Sequence, residues 1–536
     1  MRILRPLAIV FAVRALAQTP NAQITGLVTD PTGAVMAGVK VTVTDVDRRQ
    51  DRATETNESG SYRVLFLGPG NYRVSLEKSG FKPVVRPGVT LAVDQVARLD
   101  FALEVGATSE RVEVLADTPL LDAETSSLGQ VIDNKRIVEL PMNGRNIMSL
   151  VQLSAGVQPL SGINAGFSET GNFSASNLSM NGGRGSLNAL LLDGANNAAP
   201  EREENAVSPS VDAVEEFKVY TNGASAEFGR TAGGVISIVT KSGTNELHGT
   251  LYEFLRNDRL DSRDAFASAR GVLRYNQFGG TTGGPVYVPK LYNGKDRTFF
   301  FFSYEGYRNH FPANRLNTVP TPAQREGDFS NTRLANGNLL PIYDPLSTRA
   351  NPAGGFARDL FPANRVPTAR FDRISRAIVD QRVPLPNRAP ANPVTNVQNF
   401  FQQVGRLIDN DQWMGRFDHN LTSNHRVMYR LTYNRNIVGG DRVWTQSDDE
   451  FVRNYQQAVA SWTHTLSPRM VGDFRAGYVL TVITRHPQSS RTDVEALNYP
   501  AVLPRLHLPQ HVIADFTTIG GNSIVDGGAS VLSSVL

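Results

Sequence analysis

Short runs of alternating apolar and polar residues dominate the first hundred positions. Val39, Val41 and Val43 alternate with Lys40, Thr42 and Thr44; Tyr62, Val64 and Phe66 with Arg63 and Leu65; Tyr72, Val74 and Leu76 with Arg73 and Ser75. A period of two gives each run one face for burial. The runs are separated by Asp30-Pro31-Thr32-Gly33, Asn57-Glu58-Ser59-Gly60 and Gly68-Pro69-Gly70-Asn71, residues that fix φ or tolerate positive φ. The pattern predicts a small antiparallel sandwich over 23–103.

The character changes twice after that. Residues 104–127 carry Glu110-Arg111-Val112-Glu113-Val114 and then a Thr, Pro, Asp and Ser-rich run, which reads as a linker with one short strand. A short helix is expected over 133–140, ended by Pro141. The stretch 141–246 is rich in Gly, Asn and Ser, with apolar segments at 188–192, 217–220 and 235–239. It suits a compact α+β domain with many loops and no long helix.

From 247 onward the runs lengthen. Segments 251–256, 297–308, 413–421, 426–434, 455–466 and 470–482 read as amphipathic strands able to cross a bilayer, which takes about 9–11 residues at a tilt. Val427, Tyr429, Leu431 and Tyr433 alternate with Arg426, Met428, Arg430, Thr432 and Asn434. Phe474, Ala476, Tyr478 and Leu480 alternate with Asp473, Arg475, Gly477 and Val479. One face is aromatic and the other charged. A soluble sandwich shows the same alternation, but the connections differ in length. Thr422-Ser423-Asn424 and Ser467-Pro468-Arg469 are tight turns, whereas 309–409 is one long connection rich in Pro, Asn, Arg and Ala. Short turns at one end and long loops at the other mark a membrane barrel.

Composition narrows the alternatives. Among 536 residues, 54 Lys and Arg face 51 Asp and Glu, and the basic residues are scattered, so no nucleic-acid partner is expected. Cysteine is absent, which excludes disulfides and thiolate chemistry. Residues 1–17 read as a signal peptide: Met1-Arg2-Ile3-Leu4-Arg5, an apolar run over 7–13, and Ala15-Leu16-Ala17 before Gln18, with Arg14 interrupting the apolar stretch. No later segment approaches the roughly 18–20 consecutive apolar residues of a membrane helix. The eight histidines form no H-E-x-x-H pattern, and Pro509 breaks the spacing between His507 and His511. No nucleophile elbow or P-loop is present. No enzyme activity, cofactor or metal site is expected.

Ordered motifs then point to a family. The turns before Tyr62 and Tyr72-Arg73-Val74 resemble a carboxypeptidase regulatory-like domain, a transthyretin-like β-sandwich. Further along come Leu140-Pro141-Met142-Asn143-Gly144-Arg145-Asn146, Met180-Asn181-Gly182-Gly183-Arg184, Leu190-Leu191-Leu192-Asp193-Gly194, and Val211-Asp212-Ala213-Val214-Glu215-Glu216-Phe217. Ser225-Ala226-Glu227-Phe228-Gly229-Arg230, Val239-Thr240-Lys241-Ser242-Gly243-Thr244-Asn245, Asn276-Gln277-Phe278-Gly279-Gly280 and the aromatic run at 298–306 follow in order. Together they resemble the Oar-like branch of TonB-dependent outer-membrane receptors.

The resemblance implies a mainly β chain: sandwich 23–103, linker 104–127, plug 128–246, and the first strands of an incomplete transmembrane antiparallel β-barrel over 247–536. Barrels of this family are expected to have about 22 strands, and seven or eight are legible here, so either a fragmentary or truncated product is expected or one that takes its missing strands from elsewhere. The implied function is plug-gated transport of an unidentified extracellular ligand, energised by the TonB complex of the inner membrane. The implied location is the outer membrane, in contact with its lipid, with the sandwich in the periplasm. The alternatives are a surface adhesion or interaction protein that transports nothing, or a soluble periplasmic sandwich protein. Val112, Glu113 and Val114 are the candidate TonB contact, by strand addition; the last strand of the sandwich is the other reading of that segment. Asn143, Gly144, Arg145, Asn181, Gly182, Asp193, Gly194, Glu227, Gly229 and Arg230 form the plug signature. Arg145 and Arg230 are expected either to meet wall carboxylates such as Glu253 or to remain solvated in plug loops.

Overall fold

The computed structural model describes residues 21–106, 112–113, 127–160, 178–198, 205–225, 228–229, 231–263, 270–440, 450–467, 470–486 and 530–535. The signal-peptide segment, Val114, Glu227, Arg230, His507 and His511 lie outside them.

The N-terminal module is a two-sheet sandwich. Its strands are β1 (Ala22–Thr29), β2 (Lys40–Asp45), β3 (Gln50–Glu55), β4 (Ser61–Leu67), β5 (Gly70–Glu77), β6 (Val84–Leu91), β7 (Val96–Arg98), β8 (Phe101–Ala102) and β9 (Val112–Glu113). One sheet is ordered β4-β1-β7 with β8 also on β1; the other is β3-β2-β5-β6-β9. Val39, Val41, Val43, Tyr62, Val64, Tyr72, Val74 and Leu76 all enter the core, as the alternation predicts. Phe66 does not. Its φ is +57°, the β1–β4 register shifts there, and Leu67 fills the core position instead.

The second module contains β10 (Leu128–Asp133), helix α1 (Asn134–Glu139), helix α2 (Met148–Val151), β11 (Val157–Pro159), β12 (Leu178–Met180), β13 (Ala189–Leu192), β14 (Ala195–Asn196), β15 (Val214–Asn222) and β16 (Val235–Thr240). The short helix expected before Pro141 is α1, capped by the Asp133 side chain on the Arg136 N–H. The three apolar segments become β13, β15 and β16 of one five-stranded sheet, ordered β10-β15-β16-β13-β14. Both helices pack their apolar residues against it.

The third module is an eight-stranded antiparallel wall ordered β17-β18-β21-β24-β25-β26-β27-β28. Its strands are β17 (His248–Asn257), β18 (Arg274–Pro285), β21 (Thr298–Asn317), β24 (Phe400–Thr422), β25 (His425–Gly440), β26 (Glu450–Ser467), β27 (Met470–His486) and β28 (Ser530–Val535). Two small ribbons, β19 (Tyr287–Val288) with β20 (Tyr292–Asn293) and β22 (Arg349–Ala350) with β23 (Phe356–Ala357), decorate the connections. β17 and β28 are the two edges and do not pair, so the wall is open. Outward positions carry an exposed aromatic and aliphatic band, including Phe302, Trp413, Phe417, Tyr429, Leu431, Trp462 and Phe474. Inward positions carry buried Gln277, Glu305, Gln412, Asp418, Arg430, Asn434 and Gln457. Apolar outside and polar inside is the reverse of a soluble protein and the pattern of a bilayer-embedded barrel.

The wall differs from expectation in two places. β18 has almost no apolar alternation because glycine replaces it. A Cβ at Gly279 would lie 2.3 Å from the Tyr304 carbonyl oxygen and 2.6 Å from the Tyr252 hydroxyl, so the backbone of one flanking strand and an aromatic side chain of the other occupy the space a side chain would need. The long connection is also shorter than read. β21 and β24 stay paired out to Asn317 and Phe400, leaving 318–399 as the excursion. That excursion is folded, with Val319, Ile378, Val383 and Phe400 as a small core and helices α3 (Pro322–Arg325) and α4 (Arg373–Arg382).

Candidate functional site

The contact between the second module and the wall is where the sequence motifs converge. β13 ends in Asp193 (φ +48°) and Gly194 (φ +73°), and β14 pairs back antiparallel with Leu192 opposite Ala195. Two successive positive-φ residues form the two-residue hairpin loop that Asp-Gly favours. The turn holds the Asp193 carboxylate against the wall, almost fully buried. Arg430 of β25, fully buried, meets it at 2.6 Å (Nε to Oδ2), and Arg416 of β24 at 3.4 Å. Within the second module, the Thr240 backbone N–H (2.9 Å) and hydroxyl (2.8 Å) both donate to Asp193.

The two arginines are held from behind. Arg430 donates to the Thr432 hydroxyl (2.7 Å), the Gln457 side-chain oxygen (3.0 Å) and, across the interface, the Leu192 carbonyl (3.2 Å). Gln457 donates to the Asn196 carbonyl at 2.9 Å. Arg416 pairs with Asp418 at 2.9 Å and donates to the Thr240 carbonyl at 2.8 Å, while Ser242 donates to Asp418 at 2.8 Å. Buried charges are tolerable only when paired, and this cluster pairs them across both modules. Nearby, Ala195 packs so close to Gly477 of β27 that a Cβ there would lie 2.9 Å from its own.

A second contact uses Arg145. Gly144 (φ +70°) and Arg145 (φ +49°) turn the chain so that the guanidinium pairs with Asp212 and stacks over the Tyr252 and Phe254 rings of β17, at 4.9 and 4.5 Å. Glu253 plays no part in this contact. It shares the strand parity of Leu251 and Leu255, both exposed on the outer face, so the expected wall carboxylate points away. The inward carboxylate is Glu305, which accepts from the Tyr252 hydroxyl at 2.9 Å. Asn181 (φ +50°) and Gly182 (φ +78°) form a similar turn, with the Asn181 amide donating to the Thr221 carbonyl at 2.5 Å. Asn143 lies in the same short turn as Gly144, and a β-carbon at Gly229 would find open space among the described residues.

The sandwich seats on the second module. The Val93 backbone N–H donates to Glu216 of β15, Lys218 donates to the Asp94 carbonyl at 3.2 Å, and Arg48 to the Gly243 carbonyl at 3.2 Å. Burial pushes the Glu216 carboxyl up to about 8, against the opposing pull of the Val93 N–H and with help from Glu215, Asp94 and Asp133. Val112 and Glu113 form β9, a parallel partner to Val84 and Val85 at the edge of the sandwich. Motif reading singled out neither Arg416, Arg430 nor Gln457 as interface residues. The available signal was a long charged side chain at inward parity on strands whose other face is aromatic.

Comparison with known proteins agrees with this architecture. Residues 239–531 match the family described as outer membrane beta barrel domain, 23–104 the carboxypeptidase regulatory-like domain, and 122–235 the TonB-dependent receptor plug domain. The chain is 29% identical over 363 residues to the TonB-dependent transporter Oar of Myxococcus xanthus, covering 64% of this chain and 33% of that protein. It thus spans about a third of the length of that relative. Similar solved structures include the siderophore receptor PirA of Acinetobacter baumannii (15% identity, 76% of this chain and 44% of that one, TM-score 0.40). Another is the outer-membrane transporter YddB of Escherichia coli (12% identity, 76% and 44%, TM-score 0.40). The barrel match covers more than half of the chain, and with a plug domain and an open, outward-apolar wall in the structure, the protein belongs to the TonB-dependent receptors of the outer membrane.

Proposed function

We propose that this chain forms the gated part of an energised outer-membrane passage, in which the plug must leave its seat on the wall for a solute to pass. The observation that carries the reading is the Asp193–Arg430–Arg416 cluster, which makes plug and wall one electrostatic unit. A plug that moves needs a contact strong enough to hold at rest and confined enough to break under pull. Polar groups serve this better than a large apolar interface, because water entering the lumen solvates them once separated. Units 23–103, 104–127, 128–246 and 247–536 then act as periplasmic module, tether, plug and wall, and no catalytic step is assigned to them.

The energising partner in this reading is a TonB complex that adds a strand to the tether near Val112, Glu113 and Val114, by main-chain pairing that asks little of side chains. Parallel pairing of β9 with β6 supports that segment's readiness to add to a sheet edge. Arg145 and the Asn-Gly turns serve as the plug's wall contact and hinges. A surface-interaction role has one observation in its favour. Leu346 and Phe356 stand largely exposed on the folded excursion. The separating experiment is uptake of the bound solute in cells with and without TonB. Gated transport predicts loss of uptake with binding retained, whereas uptake independent of TonB sinks the reading.

A further inference from the structure

The sandwich and the wall enclose a cleft that none of the contacts above uses. Ile24, Val64 and Ala97 face one another across three strands and enter the sandwich core, so the adjoining row, Thr25, Arg63 and Arg98, faces outward from the same sheet. That outer face meets the short-turn end of the wall at Val471 of β27, and the space between them is about 510 Å³. Sites for small ligands occupy roughly 300–1,000 Å³. With the wall in the outer membrane, its short turns and the sandwich lie on the periplasmic side.

Charge of both signs lines this cleft. Arg63 of β4 and Arg98 of β7 stand directly opposite Thr25 of β1, one on each side. Neighbouring strands lie about 4.8 Å apart, so the two arginine backbones are ~10 Å apart with one short side chain between them. Arg98 is oriented by Asp100 at 3.1 Å (Nε to Oδ2), a carboxylate that also accepts from the Leu27 N–H at 2.8 Å. Arg63 is exposed and has no hydrogen-bond or ion-pair partner among the described residues. Glu55 of β3 borders the same cleft, exposed and equally without one. Unpaired charges are ordinary on a bare surface, but here both signs share a cleft with the apolar side chains of Leu27, Leu65 and Val471. β4 is also the edge of its sheet, with no strand beyond it among the described residues, so main-chain groups on that side are open to an extended chain.

We propose that this cleft docks an acidic peptide of the periplasm, an extended chain that carries carboxylates and a free ammonium group. Arg63 and Arg98 take carboxylates through charge-assisted hydrogen bonds, for which the planar guanidinium fork is suited. Glu55 takes the ammonium group, and Leu27, Leu65 and Val471 pack against small apolar side chains. The open edge of β4 offers main-chain pairing, which a peptide uses and a phosphate or a sugar leaves unused. A carboxylate beside the arginines also works against a ligand that is only an anion. One side of the cleft belongs to the sandwich and the other to the wall, so an occupant that touches both favours the seated sandwich by linkage. The site is separate from the plug lock and needs neither TonB nor a transported solute.

The test is calorimetric titration of the purified full chain in detergent with the peptide acetyl-Ala-Glu-Lys-Ala-Ala. Two analogues accompany it, one with glutamine and an amidated end in place of both carboxylates, the other with norleucine in place of lysine. The acidic peptide should bind about tenfold more tightly than the carboxylate-free analogue, and about threefold more tightly than the norleucine analogue. Arg63→Gln should erase the first preference and Glu55→Gln the second. Val471→Asp, on the wall, should weaken the acidic peptide by about fivefold, since the cleft has two sides. Circular dichroism and heat-modifiable gel migration confirm that each variant is folded. The proposal is overturned if the acidic peptide does not bind at millimolar concentration, if the carboxylate-free analogue binds as tightly, or if any of the three variants titrates like the parent. Displacement of the peptide by an equal concentration of inorganic phosphate would also overturn it, by showing a general anion site.

Discussion

Replacing Asp193 with Asn tests the plug lock with little change of shape. The amide can still accept from the Thr240 N–H, but the fully buried Arg430 loses its counter-charge. Removing one partner of a buried ion pair costs about 3–5 kcal/mol. Arg430 keeps its bonds to Thr432, Gln457 and Leu192, which puts the change near the lower end, about 3 kcal/mol, or roughly 100-fold in the population with the plug released. The absence of cysteine from the chain allows a clean reporter. Ser237 is fully buried in β16 with its hydroxyl unpartnered among the described residues, so Ser237→Cys is a mild change that hides one thiol in the plug. Its maleimide labelling rate follows the open population when opening and closing are fast. Asp193→Asn should raise that rate about 100-fold. Arg430→Gln should do the same, and the double variant should fall far short of the product, because both remove one interaction. Labelling within twofold of the parent in Asp193→Asn would refute the lock.

Three further outcomes follow from the geometry. The docked Glu216 carboxyl titrates near 8 against 4.5 when released, so seating of the sandwich on the plug binds a proton. Its contribution is complete below about pH 4.5 and is lost as pH rises through about 8; hydrogen exchange at Val93, corrected for chemical exchange, should therefore quicken from pH 6 to 8.5, and Glu216→Gln should flatten that dependence. Arg145→Ala removes both the Asp212 pair and the stacking on Tyr252 and Phe254, and should weaken protection of the plug from protease by roughly 2–3 kcal/mol; unchanged cleavage would count against that contact. Gly279→Val places a side chain where Tyr252 and the Tyr304 carbonyl already lie, so the variant should fail to give the heat-modifiable barrel species, and normal assembly would mean that β18 is not packed as described.

Much of this was legible because local rules and tertiary structure agree. The aromatic-out, charged-in alternation of 426–434 and 473–480 predicted which face of β25 and β27 meets the bilayer, and Tyr429, Leu431 and Phe474 are exposed as read. The Asp193-Gly194 and Asn181-Gly182 pairs form positive-φ turns, as the chemistry of such dipeptides favours. What was hidden depends on contacts between distant segments. Nothing within β18 says that Gly279 makes room for the Tyr252 side chain on one neighbouring strand and the backbone of the other. Phe66 obeyed the period of two in sequence, yet a register shift beside Ala22 handed its place to Leu67. Of the two expectations for Arg145, a wall carboxylate such as Glu253 or a solvated loop, the first fails for Glu253 because strand parity, readable from Leu251 and Leu255, turns it outward. Asp193 was legible as a turn residue, but its partners Arg416 and Arg430 lie more than 220 positions away, a pairing that no local pattern encodes.

The central claim is that the plug must leave the wall for a solute to pass. Ala195→Cys with Gly477→Cys joins the two where a β-carbon at Gly477 would lie 2.9 Å from that of Ala195, so the pair need part by only about 1 Å to reach a disulfide's span, and no other thiol is present to compete. In TonB-competent cells, oxidising this pair should stop solute uptake while leaving surface binding intact, and dithiothreitol should restore uptake. Undiminished uptake through a protein shown to be fully crosslinked would contradict the account.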